Sequence, residues 1–173
     1  MSNDKQTLTL RGDREIVLTR RFSAPRHLVW KAHSSCEHLK HWWGPKGWDL
    51  VHCMMDFRPN GTWHYCMAGE YEGNAMESWG LATYQEIEEP ERIVYTDAFS
   101  DKEGSINPDM PEMLITVTMD DQGETTLLTN VTRCESAEAR QQLIDMGMEG
   151  GITETWDRLD ELLTQLDPTE ASA

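Results

Sequence analysis

The chain has 173 residues, 38% hydrophobic and 27% charged, the balance of one globular domain and not of a disordered segment. Fifteen Lys and Arg against 31 Asp and Glu leave a formal net charge of −16, which repels phosphate backbones and anionic bilayers and argues against nucleic-acid binding. No apolar run approaches the roughly 20 residues of a membrane span, and MSNDKQTLTL at the N-terminus lacks a signal-peptide core.

Residues 1–13 are polar and are expected to form a flexible N-terminal segment. From Arg14 to Phe22 the chain alternates Ile16, Leu18, Arg20 and Phe22 on one side, which predicts a first strand. Ser23-Ala24-Pro25 then signals a helix start, since proline suits the first turn and serine can cap a free N–H. The first short helix runs through Leu28, Val29 and Ala32; a second runs from about Ser35 to Trp42, where Gly44-Pro45 stops it. Adjacent side chains on a helix point about 100° apart, so Trp42 and Trp43 are not expected to share one core position. One should anchor the short helix under the sheet edge and the other should lie near a cavity mouth; alternatively the pair only plugs the turn. His33, His38 and His41 gather near Cys36, but without a second matched ligand pair they read as a wet helix surface. Neither a metal nor a cofactor is expected.

Between residues 48 and 133 apolar alternation is punctuated by Gly, Pro, Asn and Asp clusters. Strands are predicted at 48–57, 62–68, 79–87, 92–99, 113–120 and 125–133, as an antiparallel meander. A three-residue loop at Pro59-Asn60-Gly61, a type I turn with a glycine bulge, would pair Phe57 with Trp63 and Met55 with Tyr65. In that register Val51, Cys53, Met55 and Phe57 share a face with Trp63, Tyr65 and Met67. Cys53 then points inward near Met67 and Cys66 points outward. Cys36, Cys53, Cys66 and Cys134 show no CxxC spacing, so all are expected to be reduced thiols in a cytoplasmic protein. The polar stretch 100–112 reads as a loop, with a lid over the open end of the sheet as the alternative.

A long final helix is predicted from about Ser136 to Leu166, with Ile144, Met148, Ile152, Leu159, Leu163 and Leu166 near one face and Trp156 at its border. Gly147, Gly150 and Gly151 interrupt it, each costing about 1 kcal/mol relative to alanine in a helix interior. Close backbone approach, a bend, room for a ligand, or a break between two helices would account for them. The tail 167–173 is expected to be disordered, which leaves one domain at 14–166.

Four motifs in chain order resemble one family. His41-Trp42-Trp43-Gly44-Pro45 is similar to the WWGP motif of the family named after the activator of heat-shock protein ATPase, a branch of the START-like (SRPBCC) superfamily. The stretch from Asp56 to Trp63 resembles its D-x-R-P-G-G-x-W/F hairpin, with Asn60 in place of the first turn glycine. Pro90 to Asp97 resembles its PERLVFTD strand, and Gly147 to Gly151 followed by Trp156-Asp157-Arg158-Leu159 resembles its glycine-bearing last helix. The resemblance implies the α+β helix-grip fold. In it a curved antiparallel sheet of about seven strands wraps a long C-terminal helix, with two short helices after the first strand. START-like relatives commonly hold a cavity there. The activators behind the family name carry a further N-terminal domain, and only 13 polar residues precede the first strand here. Regulation of a chaperone ATPase by protein contact is therefore an alternative, not the first expectation.

Seven tryptophans and ten methionines supply flat rings and adaptable thioethers. The candidate ligand-binding residues are Trp43, Trp63, Tyr65, Met67, Trp79, Tyr95, Phe99, Met113, Ile115, Val117, Met148 and Ile152. Singly, each reads as core packing; as a set on a helix-grip frame they read as a cavity wall. The expected partner is an apolar or aromatic small molecule, lipid or polyketide-like, with a homodimer left open and no membrane partner. No nucleophile–base pair supports catalysis. For an enzyme of cyclase or dehydratase type, Asp97 is the weak candidate, with Tyr95, Tyr84 and the outward-facing His64 also available. Asp97 shares the strand face of Tyr95 and could point inward, although a strand-end Asp bonded to a backbone N–H or facing water is the favoured reading.

Overall fold

The computed structural model describes residues 6–166. Two strands come first, β1 (Gln6–Arg11) and β2 (Glu15–Phe22), then two short helices, α1 (Arg26–His33) and α2 (Cys36–Leu39). Six strands follow: β3 (Asp49–Met55), β4 (Thr62–Tyr71), β5 (Asn74–Glu88), β6 (Arg92–Phe99), β7 (Glu112–Gln122) and β8 (Thr125–Arg133). Two helices close the chain, α3 (Ala137–Asp145) and α4 (Met148–Gln165). All strands lie in one antiparallel sheet of order β1-β2-β8-β7-β6-β5-β4-β3. The β3–β8 meander and the α+β helix-grip frame are as the alternation and the motifs predicted. Among the described residues no helix is long and apolar enough to cross a membrane.

The inner face of the sheet carries Ile16, Leu18 and Phe22 from β2, Val117 and Met119 from β7, and Ile93 and Tyr95 from β6, all buried. The helices cover it, with Leu28, Val29 and Trp30 from α1 and Trp156, Leu159 and Leu163 from α4 in the same core. Trp156 meets Phe22 edge to face, ring centroids 5.8 Å apart. Arg20 alternates with these apolar residues and is fully buried. Its guanidinium reaches across to α4, pairing with Asp157 at 2.7 Å and with Asp160.

That cation also explains a correction. Gln6 was expected in a flexible segment, yet its amide oxygen accepts from Arg20 at 2.9 Å and its amide nitrogen donates to Thr153 of α4 at 2.7 Å. Residues 6–11 therefore pair along β2, and the sheet has eight strands where about seven were expected. Residues 1–5 of that segment, and the tail 167–173, lie outside the described residues.

The β3–β4 hairpin is offset from its expected register. Met55 faces Trp63 and Cys53 faces Tyr65, a shift of two residues that keeps the inward parity. The turn is longer than three residues because Asp56 N–H donates to the Thr62 carbonyl and Gly61 N–H to the Arg58 carbonyl. Asn60, at φ 70°, takes the left-handed position expected of the glycine. A bulge between Leu50 and His52 then turns Leu50 toward the core and leaves Val51 exposed, against the expected alternation.

The expectation of four thiols fails at one pair. Cys36 and Cys53 are joined as a disulfide, their Cα atoms 5.8 Å apart, which ties α2 to β3. Parity placed Cys53 on the inner face correctly, but its neighbour there is the helix laid over β3, which strand pairing does not reveal. Cys66 lies on the outer face as expected, though buried, and stays free together with Cys134.

A left-handed residue divides the predicted long helix. Gly147, at φ 84°, ends the run of α3 and begins α4, a backbone state that costs a side chain with a Cβ. The break between two helices, one of the four explanations of the glycines, is the one observed here.

Candidate ligand cavity

Between the inner face of the sheet and the two C-terminal helices lies a cavity of about 350 Å³. Its floor comes from β6, β7 and β8, its roof from α3 and α4, and one wall from the Trp42–Pro45 turn. That turn is held by α4: the Arg158 guanidinium donates to the Gly44 carbonyl at 2.8 Å and the Trp48 carbonyl at 2.7 Å. Trp42 is fully buried and its indole N–H donates to the Ala32 carbonyl at 2.9 Å. Trp43 packs edge-on against Trp63 at 4.7 Å and Tyr65 at 5.8 Å and borders the cavity. Trp42 is thus the anchor, but it borders the cavity as well as Trp43, so the expected division into one anchor and one cavity residue holds only in part.

Of the twelve candidate residues, Trp43, Met67, Tyr95, Phe99, Met113, Ile115, Val117, Met148 and Ile152 line this cavity. The other three do not. Trp63 is buried packing behind Trp43, against Tyr65 at 4.5 Å. Tyr65 borders a smaller hollow of about 160 Å³, which shares Met67, Asp97, Phe99 and Met113 with the larger one. Trp79 also borders that smaller hollow, but its ring lies on the face opposite the one expected. In the register it pairs with Cys66, and its ring stacks with His52 and His64 at 5.2 Å on the outer face. The inner position belongs to Gly80, where a Cβ would collide with the Tyr65 ring. Because Gly80 has no side chain, Tyr65 lies across β5 toward β6.

What Tyr65 reaches is Asp97. Its hydroxyl donates to both carboxyl oxygens, at 3.0 and 3.1 Å. Asp97 is 7% exposed and borders both hollows, on the inner face as parity after Tyr95 suggested. Burial pushes its pKa up to about 7, against the downward pull of the Tyr65 hydroxyl and the Ala98 N–H. Burial raises the Tyr65 and Tyr95 hydroxyls well above their ordinary value, reinforced by the charge of Asp97. Tyr84, buried on the neighbouring strand, is raised for the same two reasons. His64 lies outside this cluster, with its ring nitrogen donating to the Asp101 carbonyl at 2.9 Å.

Sequence reasoning missed the polar positions of the wall. His33 was grouped with His38 and His41, but its ring borders the cavity against Trp42 at 4.8 Å. Enclosure by protein lowers its pKa to about 4, opposed by the bond from Nδ1 to the Val29 carbonyl at 2.8 Å. Asn130 and Thr132, linked by a 2.9 Å hydrogen bond, also line the wall. Their signal was available: both are polar residues at inward parity on β8, between Leu128 and the strand end. Among the described residues no three His, Cys, Asp or Glu side chains converge as a metal site. No residue of the 100–111 segment lines the cavity; Ser100 and Ile106 close that segment on itself by a strand bridge.

Comparison with known proteins adds a family and a set of folds. The family model described as Activator of Hsp90 ATPase homolog 1-like protein matches residues 23–164. No curated protein matches the chain. A crystal structure from Mycobacterium smegmatis is similar at 27% identity and TM-score 0.82, covering 96% of this chain and 99% of the other. A solution structure from Staphylococcus epidermidis is similar at 29% identity and TM-score 0.77, covering 95% and 98%. One from Arthrobacter aurescens has 25% identity and TM-score 0.83, covering 92% of each chain.

Proposed function

Given that the chain belongs to the activator of Hsp90 ATPase homolog 1-like family of the START-like superfamily, we propose that it binds an apolar or aromatic small molecule between its sheet and its C-terminal helices. The observation that carries this reading is the cavity of about 350 Å³, walled mostly by rings, thioethers and aliphatic chains. Apolar area removed from water there contributes roughly 25 cal/mol per Å², and flat rings gain further from the Trp43 and Tyr95 faces. A volume near the lower end of small-molecule pockets, roughly 300 to 1,000 Å³, suits two or three fused rings or a short chain better than a diacyl lipid.

Trp42, Trp43 and Trp156 all border the cavity, so occupation should change the intrinsic fluorescence. Titration with fused-ring aromatics, flavonoid-like compounds and short-chain lipids is expected to give saturable quenching by at least one ring class. Native mass spectrometry should show the same compound carried by the folded protein and released on denaturation. A flat response across the panel, with no carried mass, would remove the reading.

A further inference from the structure

We propose that Asp97 is the polar pole of this cavity, and that the molecule it takes up is an uncharged ring compound whose carbonyl oxygen accepts a hydrogen bond from the Asp97 carboxyl. The proposal rests on the cavity reading above and specifies the ligand's chemistry. Three observations lead to it. Among the described residues lining the cavity Asp97 is the one carboxyl, and none is Lys or Arg. An anionic ligand would find no counter-charge there, inside a chain of net charge −16. Asp97 also stands where the larger and smaller hollows meet, so a ring bound against Met113 and Phe99 has its edge beside the carboxyl.

The third observation concerns hydrogen-bond capacity. The Tyr65 hydroxyl donates to both Asp97 oxygens, and the Ala98 N–H adds a second donor. When the carboxyl takes up a proton it gains an O–H of its own, for which an incoming acceptor is the natural partner. Burial already favours that neutral form, and a dry ligand filling the cavity favours it further. An ammonium ligand would instead need the ionised carboxylate, with both charges stripped of water. The titratable groups facing Asp97 are Tyr65 from β4, Tyr84 from β5 and Tyr95 on its own strand, with His33 of α1 also on the cavity wall. All are neutral in the range where Asp97 titrates, and α3 and α4 present no charged side chain to the cavity.

Three probes of one bicyclic skeleton test this: tetralin, tetralone and aminotetralin, titrated against wild type, Asp97→Asn and Asp97→Leu. At about pH 5.5 wild type should bind tetralone about tenfold more tightly than tetralin, the worth of one buried hydrogen bond. The preference should fade by about pH 8.5, where Asp97 is ionised and no longer donates. Asp97→Asn, whose amide still donates, should keep the preference at both pH values. Asp97→Leu should bind tetralin and lose the preference. Equal binding of tetralin and tetralone by wild type would overturn the proposal while leaving the cavity reading intact, as would a preference for aminotetralin. A carbonyl preference that survives in Asp97→Leu would move the pole to Asn130 and also overturn it. Failure of tetralin and tetralone alike to bind would sink the cavity reading, and this proposal with it.

Discussion

Asp97 and His33 are two buried groups held neutral by their surroundings, and they act on stability in opposite directions. The folded pKa of Asp97 is raised from 3.8 to about 7, so between these values the folded protein keeps a proton that the unfolded chain releases. Its contribution is fully present below about pH 4 and is lost as pH rises through about 7. His33 is lowered from 6.5 to about 4, and its contribution is lost as pH falls through that window. Asp97→Asn keeps an acceptor for Tyr65 and cannot ionise. Its melting temperature should match wild type near pH 4 and exceed it above pH 7, with a stability gain of up to about 4 kcal/mol at full ionisation. Thermal melts from pH 4 to pH 9 check this; parallel curves would mean that Asp97 is not buried as a neutral acid. Parity with Tyr95 left an inward Asp97 open beside a solvent-facing strand-end one, and the structure decides for the buried position. The partner that holds it was not legible, because Tyr65 reaches it only over Gly80, whose absent side chain carries no apolar signal.

Apolar periodicity located almost every strand and both ends of the helical region, because burial of one face enforces a period of two or 3.6 residues. It failed where the backbone departs from that period. The bulge at Val51 reverses the parity of the first residues of β3, and the two-residue slip of the β3–β4 pairing comes from turn hydrogen bonds. Trp79 shows a different failure: a large apolar residue was assigned inward, whereas the outer face has its own aromatic cluster with His52 and His64. The glycines of the last helix separate by role. Gly147 makes the break and borders the cavity, while Gly150 and Gly151 have nothing within 4 Å of an added Cβ, and of these two Gly151 alone borders the cavity. Gly150→Ala should therefore stabilise α4 by about 1 kcal/mol without affecting ligand affinity. Gly151→Leu should give a similar gain in stability and lower the affinity for tetralone severalfold by filling the cavity. Denaturant titration and fluorescence binding measure both, and unchanged affinity in Gly151→Leu would place the ligand elsewhere.

At the scale of the molecule three ties cross-link elements far apart in sequence or in the sheet: Arg20 from β2 to α4, Arg158 from α4 to the Trp43–Trp48 turn that walls the cavity, and the Cys36–Cys53 bond from α2 to β3. The bond closes a loop with a sequence separation of 17, worth about 3 kcal/mol through the unfolded state. Protein unfolded without reductant should titrate two thiols, Cys66 and Cys134, and four after reduction, with a lower denaturant midpoint in the reduced form. Four thiols before reduction would contradict the pairing. Periodicity, turn residues and four motifs in order were sufficient by themselves to determine the family, the order of elements and the inward faces of most strands. These are properties of neighbours along the chain, set by local sterics and by one-sided burial. Which cysteines meet, why β1 joins the sheet, that Gly80 makes way for Tyr65, and that His33 and Asn130 share a wall with Asp97 were decided only by the tertiary structure. Each depends on surfaces far apart in sequence, and their approach is fixed by packing and by buried polar groups finding partners, which no local pattern encodes.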